Sequence, residues 1–285
     1  MKEKLRSPWS PFPHEYSSCS NLKPETFEWS QNEGQYTVHI DNTIMRYRGS
    51  KNGSFGWFCE SREVLPDLHR HLSNNHNSLM NYFEKIFTCD RDLISKNPSL
   101  FEFSPPGSNL PWTKKENYRI PQKDRMCSMI ASPKDMTTGH KLRIEVASKY
   151  RTRIDLFGGA LGSQRIGEGL GPNGDWWRSK DPALSRYRFS IVFENASYPD
   201  YHTEKITDCF AQGVIPVYWG DPNIGNVFNL EGIIKWTPDF DLNSLTVDLY
   251  DSMSNAMIDN LERVSRLESA DDLIYKKIRE LKGGI

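Results

Sequence analysis

The sequence has almost no excess charge of either sign: its formal net charge is −1 over 285 residues. That argues against a general electrostatic nucleic-acid binder, which carries a strongly basic surface, and leaves room for one local basic pocket. Cysteine is scarce, with five residues scattered at Cys19, Cys59, Cys89, Cys127 and Cys209, odd in number and without a CxxC pair. Neither a disulfide framework nor a zinc site follows, and reduced thiols are expected. His69, His71 and His76 crowd into DLHRHLSNNH, where a helix surface is expected rather than a metal centre. No run approaches the ~18 apolar residues of a membrane span. The polar, proline-rich opening MKEKLRSPWSPFPHEYSS does not read as a signal peptide. The expectation is a cytoplasmic protein with no membrane span and no nucleic-acid partner.

What is present is length, aromatic content and an alternation of short apolar runs with helical patterns. At 285 residues the chain reaches the range, roughly 250–300 residues, at which single cores stop growing. One large or two medium domains are expected. Aromatics make up 12% of the residues; such rings stack on sugars and equally fill a large core, so they decide nothing alone. Residues 1–34 read as irregular, with Pro8, Pro11, Pro13 and Pro24. YTVHIDNTI (36–44), GWFCES (56–61) and KIFTCD (85–90) read as strands, and 66–84 reads as a helix with apolar positions at Leu68, Leu72, Leu79 and Phe83. The polar stretch 113–125 is the expected linker. Beyond it, MCSMIAS (126–132), RIDLFG (153–158), RYRFSIVFEN (186–195) and VIPVYWG (214–220) read as strands. GHKLRIEVASKY (139–150) and TEKITDCFAQG (203–213) read as helices, and 158–174 as a glycine-rich loop. The C-terminal stretch 243–285 is helical, with Ser269 ahead of Asp272 as a capping signal. Strands alternating with helices predict an α/β fold of two Rossmann-like domains facing a cleft, with ligands beyond the carboxyl ends of the strands. The expected divisions are 1–118, 119–265, and a C-terminal helix over 266–285 packing back on the first domain.

The richest segment is RYRFSIVFENASYPDYHTEKITDCFAQGVIPVYWGDP (186–222), which reads strand, loop, helix, strand. Thr203 is the candidate N-cap and Gly213 the C-terminal stop. Glu204 and Lys205 then fall in the first helical turn, where free N–H groups and a partial positive charge suit a pyrophosphate. Lys205 adds a full charge, Glu204 can accept hydrogen bonds from sugar hydroxyls, and Tyr201 stands just ahead. A capped helix with solvated charges is the competing reading. Lys141 and Arg143 lie near the start of another helix after a strand; either can pair with a diphosphate, or both can be surface charge. Glu60 ends an apolar strand and is a candidate general base, or a cap for the next helix. Glu194 is a rival carboxylate, or a structural one beneath the loop. No GxGxxG stands between strand and helix, which argues against a dinucleotide-dependent oxidoreductase.

FSIVFENASYPDYHTEKITDCFAQGVIPVYWGDP closely resembles the signature of the family 10 α-1,3/α-1,4-fucosyltransferases, with the FEN triplet, the Tyr-x-Thr-Glu-Lys run and IPVYWGDP in order. SMIASPKDMTTGHKLR with RIDLFG looks like the upstream part of the same domain, and GWFCES resembles the acidic segment of the acceptor domain. The resemblance covers roughly 50–270 and is that of a compact bacterial or viral member. It implies a GT-B fold with acceptor binding in the N-terminal half and donor binding in the C-terminal half. By motif, Tyr201, Glu204 and Lys205 would hold GDP-fucose, Arg143 would pair with the diphosphate, and Asn195 would shape the loop beside the donor. Glu60 would deprotonate an acceptor hydroxyl on a GlcNAc- or Glc-containing oligosaccharide. The family inverts at the anomeric carbon and requires no metal or other cofactor; DRD at 90–92 only imitates a metal motif. Another GDP-sugar in the same fold, or a non-catalytic nucleotide-sugar or glycan binding protein, remain the alternatives.

Overall fold

A computed structural model describes residues 2–7, 23–166 and 180–283. The chain forms two compact units: Met1–Asn109 with Pro199–Tyr201 and Glu268–Ile285, and Leu110–Tyr198 with His202–Leu267.

The first unit is built on six parallel strands, β1 (Glu3–Arg6), β2 (Phe27–Ser30), β3 (Tyr36–Ile40), β4 (Ser54–Phe58), β5 (Lys85–Thr88) and β6 (Phe101–Phe103), in the order β2-β1-β3-β4-β5-β6. Every residue of β4 is buried, as a parallel strand covered on both faces requires. Phe58, Ile86 and Phe101 pack with Leu68, Leu72 and Leu79 of helix α1 (Pro66–Leu79). Leu5, Phe27, Trp29 and Trp57 pack with Ala270, Ile274 and Ile278 of the last helix, α8 (Ala270–Leu281). The Ser269 hydroxyl caps α8 by accepting from the Asp272 N–H at 3.0 Å. Asp272 also accepts from the Thr26 N–H at 2.8 Å, and Asp271 accepts from the Trp29 indole at 2.7 Å. First-turn acids thus serve the helix dipole and anchor β2 together. β1 and β2 correct the expectation that 1–34 is irregular. Pro8, Pro11 and Pro13 lie outside the described residues.

The second unit carries β7 (Arg125–Ile130), β8 (Asp155–Phe157), β9 (Tyr187–Phe193), β10 (Ile215–Trp219) and β11 (Ile234–Lys235), all parallel, in the order β11-β10-β9-β7-β8. Helices α3 (Thr138–Tyr150), α4 (Asp181–Leu184), α5 (Glu204–Ala211), α6 (Val247–Ser252) and α7 (Ser254–Arg266) cover it; α2 (Arg91–Lys96) belongs to the first unit. Phe189, Ile191 and Phe193 of β9 face one core with Met129, Val146 and Val217, while Val192 faces the other with Ile206, Phe210 and Val264. Gly213, at φ +62°, ends α5 in a Schellman pattern: its N–H donates to Phe210 O and the Val214 N–H to Cys209 O. The stretch 113–125 is part of this unit and not a linker. Lys123 Nζ donates to Leu184 O, Ser185 O and Gln212 O, and the Arg119 N–H to Ala211 O.

Both sheets have the doubly wound order 2-1-3-4-5 in their own strand numbering, the first with a sixth strand added. The α/β class with two Rossmann-like units, as a GT-B fold requires, is the one the chain adopts. Among the described residues no helix is long and apolar enough to cross a membrane. The glycine-rich loop expected over 158–174 lies partly outside the described residues.

Candidate active site

The chemistry of the second unit collects at the carboxyl end of β9. Glu194, one residue beyond the strand, is fully buried. Its Oε1 accepts from the Thr203 N–H at 2.8 Å and its Oε2 from the Thr203 hydroxyl at 2.7 Å. A buried carboxylate needs such partners, and these tie the strand end to the residue before α5. Both oxygens of Glu194 are thus engaged beneath the loop. Thr203 is the N-cap by position, but its hydroxyl serves Glu194 and makes no side-chain cap to the helix, which corrects the expected ordinary threonine cap. Lys205 Nζ donates to that hydroxyl at 2.7 Å and lies 3.4 Å from Glu194 Oε2 and 3.6 Å from Glu204 Oε1.

Helix α3 meets the same strand end. The Thr137 hydroxyl caps it through the His140 N–H, and the Gly139 N–H donates to Asn195 O at 3.1 Å. Arg143 is buried; its Nη2 donates to Phe193 O at 2.6 Å and to Asn195 Oδ1 at 3.3 Å. Lys141, two residues earlier, is exposed. Burial, with the positive charges of Arg143, Lys134 and Lys205, pushes the His140 pKa down to about 4, so the ring is neutral at pH 7. The same positive field favours an anion.

These elements line a cavity of about 420 Å³, the size of a small-molecule site. It lies beyond the carboxyl ends of β7 and β9, the adjacent strands at which the order reverses. Doubly wound sheets bind ligands at that switch point. Ile130, Ile191, Val192 and Leu184 give it an apolar side. Four cations (Arg143, Arg165, Lys180 and Lys205) stand against two carboxylates, Glu204 and Asp208. Of the residues picked from the sequence, Arg143, Glu204 and Lys205 come together here. Lys141, Asn195 and Tyr201 are not among the residues lining the cavity.

Lys180, Asp208 and Trp112 escaped the sequence reading. The Lys180 ammonium is buried over the Trp112 ring, 4.2 Å from its centroid, and sits 2.5 Å from Asp208 Oδ2 and 3.3 Å from Glu204 Oε1. Burial works against the Lys180 charge, yet Asp208 and Glu204 outweigh it and raise its pKa. Asp208 also accepts from the Trp112 N–H at 2.8 Å. Asp208 lies four residues after Glu204, on the same helix face, and that spacing was the available signal. Lys180→Ala leaves Asp208 buried and uncompensated, and is expected to destabilise the protein by about 3–5 kcal/mol. Urea unfolding checks it, with Lys180→Ala/Asp208→Asn recovering part of the loss. A single variant as stable as wild type rules out a closed buried network.

Glu60 stands in the first unit, two residues past β4 and half-buried. Its Oε1 accepts from the Ser61 N–H at 2.7 Å and from the Tyr201 hydroxyl at 2.9 Å. It does not cap α1, whose N-cap position is Leu65. Tyr201 is fully buried, its hydroxyl set on Glu60 and not among the residues lining the cavity. Asp41, just past β3, accepts from the Cys59 N–H at 2.9 Å, the Glu60 N–H at 3.4 Å and the Cys59 thiol at 3.2 Å. Asp90 of the DRD triplet caps α2 and pairs with Arg62 and His69. Among the described residues no three His, Cys, Asp or Glu side chains are grouped to hold a metal ion.

Residues 120–253 match the family model described as glycosyltransferase family 10 (fucosyltransferase) C-term. The stretch includes Arg143, Lys180, Asn195, Tyr201, Glu204, Lys205 and Asp208. An α-(1,3)-fucosyltransferase of Helicobacter pylori is 39% identical over 58 residues, 20% of this chain and 12% of that protein. The α-(1,3)-fucosyltransferase 7 of Rattus norvegicus is 29% identical over 174 residues, 58% of this chain and 39% of that one. The chain therefore spans only a minor part of the length of these relatives. A crystal structure of an α1,3-fucosyltransferase aligns over 97% of this chain and 89% of its own, at 16% identity and a TM-score of 0.48. Residues 120–253, just under half of the chain, are thus similar to the C-terminal part of glycosyltransferase family 10, the fucosyltransferases.

Proposed function

We propose that the protein transfers L-fucose from GDP-fucose to a hydroxyl of a GlcNAc- or Glc-containing glycan in α-1,3 or α-1,4 linkage, with inversion and without a metal ion. The observation that carries this is the cavity at the β7/β9 switch point, with its cationic excess beside an apolar side. The cations suit a diphosphate and the apolar side suits a base. Glu60 takes the proton of the acceptor hydroxyl. The freed oxygen forms a bond to C1 of fucose as the bond from C1 to the β-phosphate oxygen breaks, and GDP departs with both electrons of that bond. Arg143 and Lys205 neutralise the leaving diphosphate, the task a divalent ion performs elsewhere. Between the two candidate cations, Arg143 fits this role because it lines the cavity.

A donor screen tests the proposal: purified protein in EDTA with GDP-fucose, GDP-mannose, UDP-galactose or UDP-GlcNAc, reading nucleotide release. Release from GDP-fucose alone is expected. Release from another donor alone overturns the fucose assignment, and activity that appears only when a divalent ion is restored overturns metal independence. Lys205→Ala is expected to weaken GDP binding by about 1–3 kcal/mol, the worth of one charge-assisted contact. Equal calorimetric affinity in variant and wild type removes Lys205 from the donor site.

A further inference from the structure

Tyr201 stands three residues before Glu204 in the run that resembles a donor-binding signature, yet its hydroxyl donates to Glu60 at 2.9 Å. A buried tyrosine hydroxyl needs a partner, and this one has a half-buried carboxylate. With the Ser61 N–H at 2.7 Å, two donors converge on Oε1. No described residue donates to Oε2. The backbone is held from the other side. Asp41 accepts from the N–H groups of Cys59 and Glu60 and from the Cys59 thiol, at the end of the strand that pairs with β4. Asp41 adopts φ +46°, in the left-handed region. A non-glycine residue there is strained by about 1–3 kcal/mol and persists only where its surroundings impose it.

We propose that Tyr201 and Asp41 are positioning residues for Glu60: Tyr201 fixes Oε1, Asp41 fixes the backbone that carries the side chain, and Oε2 is the atom that receives the acceptor proton. This rests on Glu60 being the general base. Burial and the nearby Glu60 charge raise Asp41 itself to about 6, so Asp41 is charged at neutral pH. Among the described groups near these strand ends, Arg62 lies beside Asp90 and Asp92, the His69 ring beside Asp90, and Arg91 beside Asp200.

The test is steady-state GDP release from GDP-fucose, with water as acceptor, for the full chain and for Tyr201→Phe, Asp41→Asn and Glu60→Gln, alongside the GDP Kd of each. Tyr201→Phe and Asp41→Asn are each expected to keep the GDP Kd within about twofold and to lower kcat about tenfold. A Tyr201→Phe variant with weakened GDP binding and unchanged kcat makes Tyr201 a donor contact and overturns the proposal. If Asp41→Asn does not fold, Tyr201→Phe, which loses one oxygen only, carries the test. A Glu60→Gln variant that keeps its turnover overturns the base assignment itself, a failure separable from that of the positioning roles.

Discussion

Glu60→Gln is expected to cut turnover about 100-fold or more while GDP affinity stays within about twofold, the scale of losing a general base. The substitution is nearly isosteric, and the amide oxygen can still accept from Tyr201 and the Ser61 N–H. What it loses is the ability to take a proton. The prediction follows from comparison with four other carboxylates near the strand ends. Glu194 is fully buried with both oxygens engaged by Thr203. Asp208 is buried against Lys180. Asp41 spends its oxygens on Cys59 and Glu60, and Asp90 on α2, Arg62 and His69. Glu60 alone of these combines partial exposure with an oxygen that no described residue addresses. Steady-state kinetics beside calorimetry check the prediction. Turnover within threefold of wild type, at unchanged GDP affinity, would falsify the role of Glu60.

The central strands were legible because parallel strands buried on both faces leave apolar runs, as in SFGWF and YRFSIVF. β1, β2 and β6 were not, because EKLR, FEWS and FEF interleave charged residues in three or four positions, with no apolar run to mark them. Glu3–Arg6 and Phe27–Ser30 gain their stability from pairing with each other and from packing under α8, contacts that no local window contains. The second unit begins at Leu110, and residues 113–125 hide that because their polarity serves buried carbonyls: Lys123 answers three of them. Arg143, Glu204 and Lys205 were found by helix-start logic, since α3 and α5 both begin beyond carboxyl ends of β-strands. Tyr201 was grouped with them by the same logic, and the structure sets its hydroxyl on Glu60. Adjacency in sequence to Glu204 suggests a shared site, yet Pro199–Tyr201 belongs to the first unit. Asp41 and Lys180 carry no local signature, and only their partners reveal them.

Gly139→Ala is expected to destabilise the protein by about 2–3 kcal/mol, the upper range for overpacking, and to lower Tm by on the order of 5–10 °C. Helix propensity alone predicts the reverse sign, because alanine outranks glycine within a helix by about 1 kcal/mol. Gly139 lies in the first turn of α3, and its φ is not positive, so backbone freedom is not what requires glycine there. Close approach is. A Cβ at this position would lie 1.9 Å from Glu194 O and 2.7 Å from Asn195 O, both backbone atoms that no rotamer change can move aside. Relief therefore needs α3 to retreat from the end of β9. Retreat breaks the Gly139 N–H bond to Asn195 O and pulls Arg143 off Phe193 O. Loss of GDP binding should accompany the loss of stability, although residue 139 itself is not among the residues lining the cavity. Ser148→Ala, on an exposed face of the same helix, supplies the control and should stabilise by a few tenths of a kcal/mol. Thermal unfolding and GDP calorimetry on both variants decide the matter. A Gly139→Ala protein that melts at or above the wild-type temperature and binds GDP normally would mean that α3 and the strand end are not packed as tightly as the donor site requires.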